Sequence, residues 1–201
     1  THTIPQGYAP GSDVANLSLM GYNPEKYYTG RSPLEAASMG ISLAPNETAF
    51  RCNLVTLDHL TSKKSIMVDF TAGHISSEEA AELMDSLQKE CGSDMFHFFA
   101  GVSYRHLLKV RGPLPKMQTV PPHDYIEQDI NRFHKDYFRD ADWAELLTKA
   151  EHLLANHPVN TRRLDAGKLP ANAIWPWGEG IMPTMPSLRQ RFNISGRMIS
   201  A

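Results

Sequence analysis

One amphipathic helix flanked by strand-like segments constrains this fold more than any other feature of the sequence. Ser76 and Glu79 have the spacing of a capping box, and Gly92 stands where a helix is expected to end. Between them the apolar residues recur on one helical face, namely Ala80, Leu83, Met84 and Leu87. A helix with a single apolar stripe has to bury it, and the neighbouring β-rich segments predict that a sheet covers this stripe.

The strand-like segments on both sides of this helix define the predicted sheet. AFRCNLVTL at 49–57 and SIMVDF at 65–70 are alternating or β-rich, and the polar HLTSKK between them predicts a hairpin. After the helix, MFHFFAGVSYRHLLKV predicts strands at 95–100 and 102–109 around Gly101. We therefore predict an α/β (α+β) fold, a mixed sheet of about four strands with helices packed on it.

Two shorter helices are predicted near the N-terminus. SDVANLSLM at 12–20 has apolar residues at helical spacing, with Ser12 or Asp13 as the N-cap. SPLEAASMG at 32–40 has capping-box spacing between Ser32 and Glu35 and a proline in the first turn. Gly21 follows the first segment and Gly40 ends the second, and a glycine at such a position is typical of a helix C-terminus.

The C-terminal third is predicted to hold one long helix and then irregular chain. Apolar residues recur at helical spacing over 140–156, and Pro158 is expected to break that helix. The remainder, which includes NAIWPWGEG, is rich in Pro, Gly and Trp and predicts loops with one short helix near Ser187.

The composition argues against several classes of function. No apolar run in the 201 residues approaches the roughly 18 that a membrane span needs. The formal net charge of −2 gives no broad basic field that would gather nucleic-acid phosphates. Cys52 and Cys91 have no second cysteine at metal-ligand spacing, which favours reduced thiols. We expect a cytoplasmic protein with neither a nucleic acid nor a membrane as partner.

The two ends of the chain are interpreted as cut. The sequence begins THTIPQG without an initiator Met and carries no secretory signal. It stops at GRMISA, an apolar run typical of the first half of a strand. We therefore expect the remainder of the same polypeptide to be a partner of this chain.

Ser12 is the sharpest candidate for chemistry. A serine that opens a helix lies at the positive end of the helix dipole beside free backbone amides, which suits phosphate binding and nucleophilic attack. The alternative is a purely structural helix cap, because serine is common there for that reason alone.

Arginines and histidines supply candidate anion ligands. Arg51 begins an otherwise apolar strand, Arg105 lies inside a strand, and Arg162 and Arg163 are predicted to form a pair in a loop. A guanidinium offers the planar, bidentate donors that a phosphate or carboxylate needs, although each arginine could equally be solvated or salt-bridged.

The histidines show none of the common metal-binding spacings, so the chain is not expected to hold a complete metal site. His106, beside Arg105, and His123, beside Asp124 after two prolines, stand where a polar side chain could be positioned. From the residues alone the sequence predicts an anion-binding α/β domain.

Several segments, taken together and in order, resemble one enzyme family. The chain is similar to the archaeal-type, cofactor-independent (2,3-bisphosphoglycerate-independent) phosphoglycerate mutases of the alkaline phosphatase superfamily. The similar segments are PGSDVANLSLMGYNPEKYYTGRSPLEAASMG, FRCNLVT, MVDFTAGHIS, GVSYRHLL, PPHD, HPVN, PANAIWPWGEG and ISGRMISA.

The resemblance implies a chemistry and a set of site residues. It implies that Ser12 is the nucleophile and a metal ligand, with two divalent ions, manganese or magnesium with zinc as a further option, that polarise the phosphoryl group of phosphoglycerate. A phosphoserine would form, and glycerate would turn within the closed site before taking the group back on its 2-hydroxyl. The implied substrate contacts are Arg51, Arg105, His106, His123, Asp124 and Arg163.

The resemblance also implies a division of the chain. Residues 1–45 would be the nucleophile-bearing segment of the catalytic domain, 46–190 the inserted substrate-binding domain of an alkaline phosphatase-like enzyme, and 191–201 the start of the return. The family's other metal ligands fall outside this sequence. We therefore expect the isolated chain to bind no metal and to be inactive, while the full-length parent is an isomerase.

Two other functions remain open at this point. One is a phosphatase or phosphotransferase of the same superfamily that acts on another small phosphometabolite, as homoserine kinase-like relatives would. The other is a non-catalytic anion-binding module. A doubly anionic phosphoglycerate needs convergent donors, so we predict that Arg51, Arg105 and His123 point toward one concave surface.

Overall fold

The computed structural model describes residues 4–8, 11–61 and 64–196. The chain divides into two compact units. The sheet unit is Gly30–Ile181, and the terminal unit combines Thr1–Thr29 with Met182–Ala201.

The sheet unit is built on an antiparallel sheet of five strands. The strands are β1 (Glu47–Thr61), β2 (Lys64–Asp69), β3 (Phe96–Val102), β4 (Arg105–Arg111) and β5 (Ala173–Ile181). The first half of β1 lies between β4 and β5, its second half pairs with β2, and β3 pairs with β4. β1 is therefore the strand that positions most of the sheet.

The four predicted strands are confirmed, but two features of the predicted sheet are wrong. The sheet is antiparallel rather than mixed. It also contains a fifth strand, β5, where the sequence predicted loops. The sequence pattern did not indicate a strand here because Pro176 and Gly178 are residues typical of loops. Proline is tolerated there because, among the described residues, β5 pairs with β1 alone, and one edge of the strand therefore carries no ladder.

Helices complete both units. In the sheet unit they are α3 (Ser32–Ser38), α4 (Ser77–Cys91), α5 (Asn131–Tyr137), α6 (Ala141–Ala155) and α7 (Pro158–Asp165), with a 3-10 turn at Pro122–Tyr125. In the terminal unit they are α1 (Ser12–Leu19), α2 (Pro24–Tyr27) and α8 (Leu188–Phe192). In the part of the chain that the structure describes, no helix is long and apolar enough to cross a membrane.

The two faces of the sheet carry different layers. Phe50, Cys52 and Leu54 of β1 join the main core, which α4 and α6 cover. Ala49 packs with α3 on the opposite face, where Val55 joins a second core that includes Trp175 and Trp177. Alternate residues of a strand point to opposite faces, so the sequence pattern of β1 assigns each side chain to one layer.

Helix α4 forms as predicted and supplies much of the main core. The side chain of Ser76 accepts a hydrogen bond from the Glu79 amide, and the Glu79 carboxylate accepts one from the Ser76 amide. The stripe that begins at Ala80 is buried, and each fully buried leucine contributes about 1.5–3 kcal/mol. The predicted short helix near Ser187 is also present as α8.

Other predicted helix boundaries are wrong for identifiable reasons. Pro158 starts α7 rather than leaving a loop, because the His157 side chain caps the helix, so Arg162 and Arg163 are helical. Neither Ser12 nor Asp13 is the N-cap of α1, because Gly11 takes that position. Ser32 and Glu35 form no capping box, since their side chains bond elsewhere.

A candidate anion-binding site

Trp177 lies at the centre of the candidate site. It stands directly opposite Arg51 across the β1 and β5 pairing, and the Arg51 guanidinium carbon lies 4.4 Å from the centroid of the Trp177 ring. This is a cation–π contact, and only 7% of Arg51 is exposed. The indole ring therefore packs against a largely buried guanidinium.

Asn53 fixes the indole in place. The Trp177 Nε1 group donates to Asn53 Oδ1 over 2.9 Å, and Asn53 Nδ2 donates to the Phe70 carbonyl oxygen over 3.2 Å. Asn53 is 2% exposed, so these bonds satisfy polar groups that water does not reach. These two hydrogen bonds hold the Trp177 ring that packs against Arg51 in one orientation.

His123 reaches the same indole ring from the 3-10 turn. Its ring centroid lies 5.8 Å from the Trp177 centroid and 5.8 Å from the Phe70 centroid. Asp124 Oδ1 lies 3.6 Å from His123 Nε2, and both side chains are about half exposed. The imidazole is therefore held between two aromatic rings at the open side of the site.

Arg105 approaches from β4. It pairs with Asn53 across the sheet, and its guanidinium carbon lies 5.4 Å from the Tyr104 ring, which contacts Phe70. No hydrogen bond or ion pair joins the Arg105 side chain to another residue in the described ranges. Arg51, Arg105 and His123 are thus brought to one face of the sheet.

Glu35 and Arg31, which the sequence analysis did not propose as site residues, complete this face. Glu35 Oε2 lies 3.0 Å from Arg51 Nε, as an ion pair without hydrogen-bond alignment, and Glu35 Oε1 accepts from Arg31 Nε over 3.3 Å. Burial lowers the pKa of Arg51, the Glu35 carboxylate opposes that shift, and the charges of Arg31 and Arg105 add to it. The four-residue spacing of Arg31 and Glu35 was the available signal.

Ser32 anchors the backbone beneath Arg51. The Arg51 amide donates to Ser32 Oγ over 2.7 Å, and the Ser32 hydroxyl donates to the Gly178 carbonyl oxygen over 2.5 Å. The pairing of β1 and β5 shifts register at this point, so the hydroxyl satisfies groups that the ladder leaves free. Because the Ser32 hydroxyl bonds to Arg51 of β1 and Gly178 of β5, it is not available to form a capping box with Glu35.

His106 does not join this face. It pairs with Cys52 on the side of the main core and is 2% exposed, and its Nδ1 accepts from the Gly101 amide over 3.0 Å. Burial lowers the pKa of His106 to about 4. Adjacent residues of a strand point to opposite faces, so Arg105 and His106 cannot serve one site.

Arg163 does not join the face either. It lies in α7 with 2% of its surface exposed and donates to the carbonyl oxygens of Leu169 and Ala72 and to Glu79. The Arg163 Nη1 to Glu79 Oε2 distance is 2.5 Å. Every nitrogen of this guanidinium donates a hydrogen bond to the protein. Arg163 therefore joins α7 to Glu79 of α4 and to the turn at Ala72 that precedes α4.

Ser12 lies in the terminal unit as the first residue of α1. Its side chain is exposed, Gly11 precedes it as N-cap, and Asp13 beside it accepts a hydrogen bond of 2.6 Å from the Tyr28 hydroxyl. The structure therefore presents the serine oxygen at the start of a helix, next to free backbone amides.

The described residues alone do not fit a site for two divalent ions. Within ranges 4–8, 11–61 and 64–196, no group of three or more His, Cys, Asp or Glu side chains could hold a metal ion. A single serine hydroxyl cannot supply the ligands that two ions need.

Comparison with known proteins gives one consistent family. Residues 1–160 match the family model of 2,3-bisphosphoglycerate-independent phosphoglycerate mutase. A mutase of that name from Methanosarcina barkeri is 46% identical over 99% of this chain and 49% of its own length. A protein of Geobacter sulfurreducens is 48% identical over 99% of this chain and 50% of its own length.

A solved structure agrees with the sequence matches. The cofactor-independent phosphoglycerate mutase from Thermoplasma acidophilum is similar with a TM-score of 0.55 and 29% identity, over 89% of this chain and 49% of that one. The chain therefore spans about half the length of the relatives it matches.

Proposed function

We propose that this chain, which belongs to the 2,3-bisphosphoglycerate-independent phosphoglycerate mutase family, carries the nucleophile and the substrate-binding face of such a mutase. The complete polypeptide would interconvert 3-phosphoglycerate and 2-phosphoglycerate, a step of glycolysis. The other half of the enzyme would come from the remainder of the same polypeptide.

The observation that carries this proposal is the convergence of donors around Trp177. Arg51, Arg105 and His123 lie on one face of the sheet, and neither arginine gives its terminal nitrogens to another residue in the described part of the chain. Phosphoglycerate carries a phosphoryl group and a carboxylate, and guanidinium groups bind both in bidentate fashion. His106 and Arg163 are left out of the proposed contacts because both face the main core.

Ser12 would act as the nucleophile. Its oxygen would form a bond to phosphorus while the bond from phosphorus to the C3 oxygen of the substrate breaks, which leaves phosphoserine and glycerate. The 2-hydroxyl of glycerate would then attack the phosphoserine and release the Ser12 oxygen. Between the two transfers the arginine face would hold the carboxylate, so that glycerate is kept in the site.

Further parts of the proposal concern metal, domains and location. Two divalent ions of the manganese or magnesium type would be bound chiefly by residues outside this chain, with Ser12 as its contribution. The sheet unit would correspond to the inserted substrate domain of an alkaline phosphatase-like enzyme, and the terminal unit to part of the catalytic domain. We place the enzyme in the cytoplasm, where its phosphorylated substrates would be made and used.

The test compares the complete polypeptide, its Ser12→Ala variant and the 201-residue chain in an assay of 3-phosphoglycerate isomerisation with manganese or magnesium. We expect the substitution to abolish turnover, because no second residue replaces the missing oxygen. The free energy of unfolding should change by less than about 0.5 kcal/mol, because the side chain is exposed and caps nothing.

Three results would count against the proposal. Appreciable turnover by the Ser12→Ala polypeptide would rule out the nucleophile assignment. Turnover by the 201-residue chain would show that the metal ligands are not outside it. Hydrolysis or transfer from another phosphometabolite, without isomerisation of 3-phosphoglycerate, would favour a different enzyme of the superfamily.

A further inference from the structure

Glu35 joins two arginines through its two carboxylate oxygens. Oε1 accepts from Arg31 Nε over 3.3 Å, and Oε2 lies 3.0 Å from Arg51 Nε. Glu35 thus meets each guanidinium at the Nε side. The terminal nitrogens of Arg31 and Arg51 form no hydrogen bond to this carboxylate.

Those terminal nitrogens have no hydrogen-bond partner among the residues that the structure describes. For Arg31, whose side chain is 42% exposed, water can fill that role. Arg51 has a side chain that is only 9% exposed and is packed against Trp177. Of the Arg51 guanidinium nitrogens, Nε is the one that is buried without a hydrogen-bond partner among the described residues, so the terminal nitrogens keep contact with solvent, where a planar oxyanion can reach them.

The charges around Arg51 also favour binding of an anion. Arg31 and Arg105 are both close enough to act electrostatically on Arg51, and Glu35 is the carboxylate that opposes them. Three cationic groups against one anionic group leave a surplus of two positive charges. Like charges held together in a partly buried setting repel one another, and an anion that binds among them offsets this repulsion.

We infer that Arg31 is a further substrate-binding residue beside Arg51, and that Glu35 is the positioning residue that orients both guanidinium groups toward one oxyanion group of phosphoglycerate. This inference rests on the proposed function. It adds two residues that act on the same ligand: Arg31 by direct contact, and Glu35 through the arginines it holds.

The experiment measures binding of 3-phosphoglycerate by calorimetry to the complete polypeptide in a Ser12→Ala background, so that no turnover occurs. Arg31→Ala should raise the dissociation constant about tenfold to a hundredfold, the range expected for a charged hydrogen bond, and Arg31→Lys should recover part of the loss. Glu35→Gln should also raise it about tenfold. Because losing this carboxylate leaves three guanidinium groups without their counter-charge, the binding is measured well below the thermal unfolding midpoint of the variant.

A matched control and a kinetic measurement separate positioning from a general structural role. Glu82→Gln removes a carboxylate that pairs with Arg162 over 3.0 Å on the opposite side of the sheet, and it should leave the dissociation constant unchanged. With Ser12 restored, Glu35→Gln should raise KM about tenfold and keep kcat within about twofold of the parent, because Glu35 touches no reacting atom.

The outcomes separate this inference from the proposed function. If the parent binds 3-phosphoglycerate and Arg51→Ala weakens it while Arg31→Ala does not, the role of Arg31 is wrong and the proposed function stands. Unchanged or tighter binding by Glu35→Gln overturns the positioning role. If the parent binds no 3-phosphoglycerate, the proposed function fails, and this inference fails with it.

Discussion

Arg51 and Arg163 are both buried arginines of the sheet unit, but they lie on opposite sides of the sheet and differ in what holds them. Arg163 gives all its nitrogens to two carbonyl oxygens and a carboxylate of the protein. Arg51 packs on an indole, approaches one carboxylate with its Nε, and keeps its terminal nitrogens free of described partners.

The difference teaches how a buried cation is used. A guanidinium that the protein satisfies completely is part of the scaffold, because any ligand would have to replace existing bonds. A guanidinium that is desolvated but only partly satisfied carries an electrostatic cost that a bound anion removes. Burial alone does not distinguish the two cases, whereas the number of engaged nitrogens does.

The largest expected effect is on the scaffold arginine. Arg163→Ala should lower the free energy of unfolding by about 3–5 kcal/mol, because it leaves two carbonyl oxygens without their donor and Glu79 without its cationic partner. Urea unfolding measures this directly. The neighbouring Arg162→Ala, which removes an exposed ion pair with Glu82, is the matched control and should cost no more than about 1 kcal/mol. Equal losses in the two variants would contradict the scaffold role.

The next effect concerns acid sensitivity on the side of the main core. Burial lowers the pKa of His106 from 6.5 to about 4, so as the pH falls the unfolded chain takes up a proton before the folded chain does. The stability from neutral His106 is complete above about pH 6.5 and is lost as the pH falls toward 4. Nδ1 now accepts a hydrogen bond from the Gly101 amide. Protonation at Nδ1 would remove this bond and set two N–H groups against each other.

His106→Asn should therefore flatten the pH profile. Between pH 7 and pH 5 the unfolding free energy of the parent should fall about 2 kcal/mol more than that of the variant. Urea unfolding at several pH values measures the two curves. A residual slope is expected, because burial also lowers the pKa of His134 to about 4. Parallel curves for parent and variant would show that His106 does not titrate in this way.

Much of the fold could be predicted from local patterns, and the failures have physical causes. Alternation identified four strands, and the capping box at Ser76 identified α4, because these signals are local in sequence. Strand β5 was missed because its Pro and Gly suggest a loop, although burial of Trp175 and Trp177 on β1 overrides that signal. Ser32 was misread because its hydroxyl serves a distant strand.

The candidate site was predictable in residue type but not in partners. Arg51, Arg105 and His123 were singled out as polar groups in unusual places, and the structure brings them together. Arg163 looked equivalent in the sequence, since nothing local shows that Glu79 of α4 and two carbonyl oxygens will accept its hydrogen bonds. His106 could have been excluded, because a residue next to Arg105 in a strand must face the other way.

The most direct test measures two quantities for Arg51→Ala and Arg163→Ala side by side in the complete polypeptide: the unfolding free energy and the dissociation constant for 3-phosphoglycerate. Arg51→Ala should lower the unfolding free energy by only about 1 kcal/mol, since it loses a cation–π contact and a misaligned ion pair. It should weaken binding at least about tenfold. Arg163→Ala, studied where it remains folded, should bind as the parent does. Parent-like binding by Arg51→Ala, or weakened binding by folded Arg163→Ala, would contradict the assignment of the anion site to the face around Trp177.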